Sequence, residues 1–389
     1  MASALSPADR VKPIDIVRGM ALFGVLIVNL FSASRVSIFQ HFLEAPSAPG
    51  TIDQLVERIV VLGFEGKAFS LFSVLFGVGL AIQFERLSRH GNPMYWLHRR
   101  LAVLLVFGLI HLLLIWNGDI LTEYAFAGFV VLPFLLLPRA GLLIAAVALL
   151  AIYTVGPTLL YSIPWPDAAV LQQHVDAANQ AYSSASVADV WRFSFHELPL
   201  IFLLHLFVFP RTLALFLFGA YLWRTGVLKR LDEFVIPMML AAIVGIASGA
   251  ALMVLDERGF FAHLGASQIF LTNLAPVLQA LGYGGGILAL TQLPAPGRWL
   301  SAFAPIGRMA FTNYLVQSMV FSFIFFGWGL GQFGRMGAMS TFALGVSVFV
   351  PQMLFSAWWL KRYRYGPVEW LWRSLMYGSA QPMREGRPA

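Results

Sequence analysis

Apolar residues in this chain come in long unbroken runs rather than in alternation with polar ones. A helix needs about 20 mostly apolar residues to cross the hydrocarbon core of a bilayer. Ten runs approach or exceed that length, at 16–31, 59–84, 97–116, 120–137, 142–161, 198–223, 234–255, 268–290, 310–327 and 339–360. Only helices and closed barrels satisfy their backbone polar groups in lipid. Runs of this length therefore predict an all-α, polytopic membrane bundle of about ten transmembrane helices, forming one domain over residues 1–389. Residues 162–197 are too polar to span and read as a connecting loop with short helices. Asp167 and Ser186 are placed to cap two of them, the first ending near Tyr182 and the second leading into Trp191. Residues 361–389 read as an aromatic and basic tail.

Composition agrees with the pattern. The chain has 389 residues, 59% hydrophobic and 12% charged, where soluble domains carry roughly 45–50% and ~25%. It has no cysteine, which excludes disulfides, thiolate catalysis and cysteine-ligated metals. No metal is expected. The net charge of +7 reads as membrane orientation, not as a nucleic-acid surface. With both termini on the cytoplasmic side, 19 of the 26 Lys and Arg fall on that side and 5 on the other. That asymmetry predicts an N-in, C-in topology. The first run lacks a small-residue cleavage site and reads as a retained helix.

Polar residues inside such runs are the pointers to function, because a charge costs at least ~2.5–3.5 kcal/mol at the centre of a spanning helix. Asp15 and Arg18 lie i, i+3 at the start of the first span and can pair. Asn29 stands near its outer end, and His41 lies in the loop beyond. Glu65 and Lys67 enter the second span two residues apart, so each needs a partner elsewhere. His111 sits in the third span; Asp119 is placed to cap the fourth, and Glu123 follows one turn later. Together the two carboxylates suit a cation or an acid–base pair, or simply a cap and a solvated group. Gln268, Thr272 and Gln279 stripe the eighth span; Arg308 with Thr312, and Asn313 with Gln317, stripe the ninth. These stripes predict either a shared internal cavity or interhelical hydrogen bonds. Glu369 and Arg373 lie i, i+4 in the tail, beside Trp370 and Trp372.

Five motifs occur in order: DIVRGMALFGVLIVN, GKAFSLFSVLFGVG, the RRL…GLIH…GDIL…YA series, GRMAFTNYLVQS, and GPVEWLWR…QP. In this order they resemble the YeiB family of bacterial inner-membrane proteins, which carry a domain of unknown function. That family is in turn similar to transmembrane acyltransferases, including the lysosomal heparan-α-glucosaminide N-acetyltransferase. The resemblance implies a bacterial inner-membrane location and transfer of an acyl group, such as acetyl, from cytoplasmic acyl-coenzyme A. The acceptor would be an extracytoplasmic or membrane glycan, lipid or small molecule. In this reading Arg18, Arg308 and Arg373 meet the coenzyme phosphates. His41 serves as base or acyl carrier, and Asn29 orients it or steadies the oxyanion. Asp15, Glu65, Lys67, His111, Asp119, Glu123 and Asn313 line the path.

Two other classes compete. A transporter would use Glu65, Lys67, Asp119 and Glu123 as a substrate or proton path. A non-catalytic scaffold would need only lipid contact. Nucleic acid is expected in none of them, and a homodimer is compatible with all.

Overall fold

The computed structural model describes residues 11–43, 50–89, 91–159, 167–265 and 267–384. Among these the chain is helical throughout its regular structure, with no strand. In chain order the helices are α1 (Lys12–Asn29), α2 (Thr51–Gly63), α3 (Lys67–Ser88), α4 (Pro93–Ile110), α5 (Leu121–Val131), α6 (Arg139–Leu159), α7 (Ala168–Ser183) and α8 (Val187–Thr225). There follow α9 (Val235–Glu257), α10 (Ser267–Leu290), α11 (Pro294–Leu300), α12 (Ala304–Arg308), α13 (Ala310–Phe325), α14 (Ala338–Trp359) and α15 (Pro367–Tyr377).

Among the described residues seven helical segments are long and apolar enough to cross a membrane, and the segments around α5 and α13 are shorter apolar helices. Large apolar side chains cover their outer faces, among them Ile236, Leu240 and Val244 of α9 and Phe202 and Leu203 of α8. Water would not tolerate so continuous an apolar surface, whereas lipid matches it. The protein is a membrane helical bundle, as its apolar runs predict.

Three departures from the predicted pattern have physical causes. The second run is broken, because Gly66 adopts φ +71° and turns α2 away from α3. A Cβ there would also press on Pro276 of α10. Next, Ser186 does cap a helix, accepting the Asp189 amide at 3.3 Å. That helix does not end before the membrane: α8 runs unbroken for 39 residues through Pro199 and Pro210. At 1.5 Å per residue it is roughly 58 Å long, far beyond the ~30 Å hydrocarbon core, so one end projects from the bilayer. Finally, α7 matches the predicted loop helix, but the Asp167 side chain makes no capping bond.

The core of the described residues has two large apolar clusters, besides a small one of Phe39, Leu171, Val175 and Ile201. One is built by α3, α4, α5 and α8, and the other by α1, α13 and α14. Phe72, Ile120 and Leu121 touch both clusters and mark the seam between them. Beside that seam, within the second cluster, α1 packs against α12 at backbone contact. A Cβ on Gly307 would overlap the Asp15 carbonyl, and one on Gly19 would overlap the Phe303 carbonyl. The DIVRG and GRMAFTN motifs are thus two halves of one close helix contact.

Candidate functional site

A cavity of about 220 Å³ runs along the seam. Its mouth is basic. Arg18 comes from α1, Arg100 from α4, Arg308 from α12 and Arg373 from α15. Asp15 and Glu369 are the carboxylates on its wall. Deeper in, the wall is apolar and aromatic, with Leu22 and Val25 of α1, Phe72 and Phe76 of α3, Leu104 of α4 and Phe311 of α13. The far end is closed by Ile120, Leu121, Tyr124 and Tyr314.

Each guanidinium is positioned by its own contacts. Arg18 pairs with Asp15 at 2.9 Å, as the i, i+3 spacing predicts. Arg308 donates to the Arg364 carbonyl at 3.3 Å. The Arg373 guanidinium lies 4.6 Å from the centre of the Tyr365 ring. Arg100 is buried, 4.5 Å from the centre of the Trp372 ring, and its Nη1 has no hydrogen-bond partner among the described residues. Both Arg373 and Arg18 repel it. Gathering like charges in a buried recess is costly unless an anion completes the site.

Glu369 does not neutralise this cluster in the way its spacing from Arg373 suggests. Its Oε1 accepts the amides of Phe311 (2.8 Å) and Thr312 (3.0 Å), and its Oε2 accepts the Thr312 hydroxyl (2.6 Å). A residue of α15 thereby caps the N-terminus of α13. Burial raises the carboxyl above its ordinary range, against the pull of the Thr312 and Phe311 hydrogen bonds.

Just past the closed end stands a second set of groups. His111 and Asp119 are fully enclosed, with Nδ1 2.8 Å from Oδ1. Asp119 also caps α5, accepting the amides of Leu121 (3.1 Å) and Thr122 (2.6 Å), as the sequence predicts. The His111 ring lies tilted against Tyr314, centroids 5.2 Å apart. His111 opens a π-helical turn, His111–Ile115, in which the Trp116 amide reaches back five residues to its carbonyl. Asn29 is buried and immediately precedes a second such turn, Leu30–Ser34. It lies one helical turn beyond Val25 of the cavity wall. π-helical turns recur at functional sites because they break regular backbone pairing.

The remaining predicted residues are placed elsewhere. His41 lies in the 3₁₀ turn Ile38–Phe42, but its side chain is outside the described residues. Glu65 is exposed on the α2–α3 bend and does not line the cavity. Lys67 is buried, but its Nζ bonds the Val61 carbonyl at the end of α2 (2.7 Å) and lies 3.2 Å from Sδ of Met253. It closes a helix C-terminus and does not face the path. Glu123 is buried beside the cavity wall, bonded to Thr212 and 4.0 Å from His205. It is not at a water-facing mouth. Asn313 and Gln317 turn to α14, donating to Ser356 (3.0 Å) and Gln352 (2.8 Å). The stripes of the eighth and ninth spans thus do not share a cavity: Gln279 of α10 packs at Gly249 of α9 instead.

Sequence reasoning missed Arg100, which reads with Arg99 only as an orientation signal at the cytoplasmic start of the 97–116 run. It also missed a polar network on α7 and α8. Glu197 is buried and accepts from Asn117 (2.5 Å) and Tyr182 (3.0 Å), with His174 Nε2 at 2.9 Å. Burial, with Glu197 next in effect, pushes the Tyr182 phenol well up, so it stays a donor. No spacing rule pairs Asn117 with residue 197; only the fold does.

YxaH of Bacillus subtilis (strain 168), an uncharacterized protein, is 33% identical over 412 residues, covering 98% of both chains. The family model for a protein of unknown function, DUF418, matches residues 222–379. This chain belongs to the DUF418 (YeiB) family. YeiB of Escherichia coli (strain K12), also uncharacterized, is 27% identical over 96% of this chain and 98% of its own. An uncharacterized 39.9 kDa protein of Bacillus acidopullulyticus is 28% identical over 96% of each. The DUF418 match takes in Arg224 through Arg373 and thus only part of the cavity wall; the full-length relatives extend over all of it. No solved structure matches the chain.

Proposed function

We propose that this DUF418 protein is a multi-pass inner-membrane acyltransferase, N-in and C-in, which draws an acyl group from cytoplasmic acyl-coenzyme A and passes it to an acceptor on the other side. The observation that carries this reading is the cavity with four arginines at one end and an aromatic, apolar interior. A coenzyme A thioester has the same division of character. Its phosphates suit guanidinium forks, which bind phosphate oxygens in pairs. Its pantetheine arm and acyl group suit an apolar channel. The arm and acyl end would lie along the apolar wall, leaving the nucleotide at the mouth beside Arg308 and Arg373. The unpaired Nη1 of buried Arg100 is a donor that an anionic ligand would satisfy.

The topology agrees. The basic mouth is formed by residues that the positive-inside asymmetry assigns to the cytoplasm. The reacting end then lies past midplane, near Asn29 and the α4–α5 turn. In the resemblance to the lysosomal enzyme, His41 takes the acceptor's proton and Asn29 steadies the developing oxyanion. The transporter reading is weakened, since Glu65 is exposed and Lys67 closes α2.

Purified protein in lipid nanodiscs should bind acetyl-coenzyme A, read by native mass spectrometry or thermal shift. Arg308→Gln and Arg373→Gln should each weaken binding about 5- to 50-fold, since hydrogen bonds to charged groups contribute about 1.5–3 kcal/mol less screening. Wild-type protein that binds no coenzyme A thioester would sink the reading.

A further inference from the structure

We infer that His111, held by Asp119, is the group that carries the proton during acyl transfer, in the role that the family resemblance would give to His41. The inference rests on the donor site proposed above. It begins from an imbalance. His111 is fully buried and neither ring nitrogen completes a well-aligned hydrogen bond among the described residues: Nε2 faces no partner, and Nδ1 meets Asp119 at ion-pair distance but out of line. A buried, unpaired ring nitrogen is costly and calls for an explanation. Its other nitrogen is at contact distance from a carboxylate, 2.8 Å away. That carboxylate is itself fixed by two backbone amides of α5. A packing histidine needs no such support. An anchored carboxylate beside one nitrogen and a free second nitrogen is the arrangement of a general base.

Position agrees with chemistry. Tyr314 lines the closed end of the cavity and lies against the imidazole on its other side. One ring therefore separates His111 from the point the thioester would reach. The acyl end can reach the imidazole only if that ring swings aside. The π-helical turn at His111 leaves this stretch less regular than the α-helix before it. On the far side, the same Asn117–Gly118–Asp119 turn is tied to Glu197 and through it to His174, whose side chain is 14% exposed. The acceptor's approach from that side meets polar groups, not lipid.

The step balances without a further reagent. The acceptor hydroxyl attacks the thioester carbonyl, and Nε2 takes its proton. The C–S bond then breaks, and the same proton passes from the imidazolium to the leaving thiolate. The products are the acyl ester and free coenzyme A. Asp119 stabilises the imidazolium in between.

The test uses wild-type protein in nanodiscs, acetyl-coenzyme A as donor and water as the acceptor, with free thiol as the readout and donor binding measured in parallel. His111→Gln should bind acetyl-coenzyme A with the wild-type Kd and release thiol about 100-fold more slowly, the usual scale of a lost general base. Asp119→Asn keeps the oxygen that caps α5 and loses the charge; it should slow thiol release at least ~10-fold, within that same scale, again at unchanged Kd. Wild-type turnover in both His111→Gln and Asp119→Asn, with donor binding intact, overturns the inference and leaves the donor site standing. Slow release by His41→Ala alone overturns it in favour of His41. Absence of donor binding by wild type overturns both.

Discussion

Glu369 and Thr312 are 57 residues apart, yet the carboxylate of one takes both the amide and the hydroxyl of the other, at 3.0 and 2.6 Å. Helix α15 thereby fixes the start of α13, and with it Arg308 on one side and Tyr314 on the other. Glu369→Ala leaves two amides and a hydroxyl of α13 unpaired in a buried place. It should lower stability by about 1–3 kcal/mol, seen as a fall in melting temperature in detergent. Glu369→Gln keeps an acceptor for the amides and should be close to neutral. The pH dependence has a definite sign. Burial raises the folded-state pKa of this carboxyl, so its contribution is complete below the unfolded value of about 4.3 and is lost as pH rises through the folded one. The stability of wild type relative to Glu369→Gln should therefore decline from acid to neutral pH.

Arg100 makes a prediction in which stability and binding move apart. The guanidinium is buried without a full set of partners, and an uncompensated buried charge is destabilising. Arg100→Met should leave the empty protein as stable as wild type or more so. The same change removes a donor for phosphate and should weaken coenzyme A binding at least ~10-fold, the scale of one hydrogen bond to a charged group. Thermal unfolding with and without acetyl-coenzyme A reads both effects in one experiment. A variant that loses stability but keeps its ligand shift would show Arg100 to be structural.

Much of the fold is legible in the sequence because lipid imposes a coarse rule: ten apolar runs must be helical wherever they lie. Partnership is not legible in the same way. Arg18, Arg308 and Arg373 stand out as cations bordering apolar runs, and the cavity brings them to one mouth. Arg100 carries the same charge, but in a doublet with Arg99 at the start of the third run it reads only as a signal of orientation. Asp119 is recognisable as a cap from the Asn-Gly turn before it. Its contact with His111 follows only once α4 and α5 fold back on each other. Lys67 misleads for a physical reason: a lysine at the start of a spanning helix signals a polar path and a helix-end partner equally well. Glu197 and His174 give no signal at all, since their shared network is closed by Asn117 from another helix pair.

Gly307 and Gly156 separate close packing from mere helix propensity. A Cβ on Gly307 would collide with the Asp15 carbonyl, while one on Gly156 of α6 meets nothing within 4 Å. Gly307→Ala must push α12 from α1 and should cost about 1–3 kcal/mol, the usual range for overpacking. It should also weaken donor binding, because Arg18 and Arg308 sit at that contact. Gly156→Ala should be neutral or stabilising by up to about 1 kcal/mol, since alanine favours the helix. Equal effects of the two would argue that the α1–α12 contact yields more readily than its geometry implies.

The Glu197 network predicts where the molecule loosens first. The carboxylate holds Asn117 from the α4–α5 turn, Tyr182 and His174 from α7, and its own helix α8. Glu197→Ala removes the acceptor they share and leaves three buried or half-buried donors without it. It should cost about 1–3 kcal/mol, as expected for stranded buried polar groups. The loss should be local, because α7 meets the rest of the protein through α8, the 3₁₀ turn at Ile38–Phe42 and the segment from Phe326 to Phe333. Hydrogen exchange should accelerate across Ala168–Ser183 while α3 and α10 stay protected. Glu197→Gln keeps an acceptor and should restore most of the protection. Uniform acceleration across all helices would mean instead that Glu197 supports the bundle as a whole.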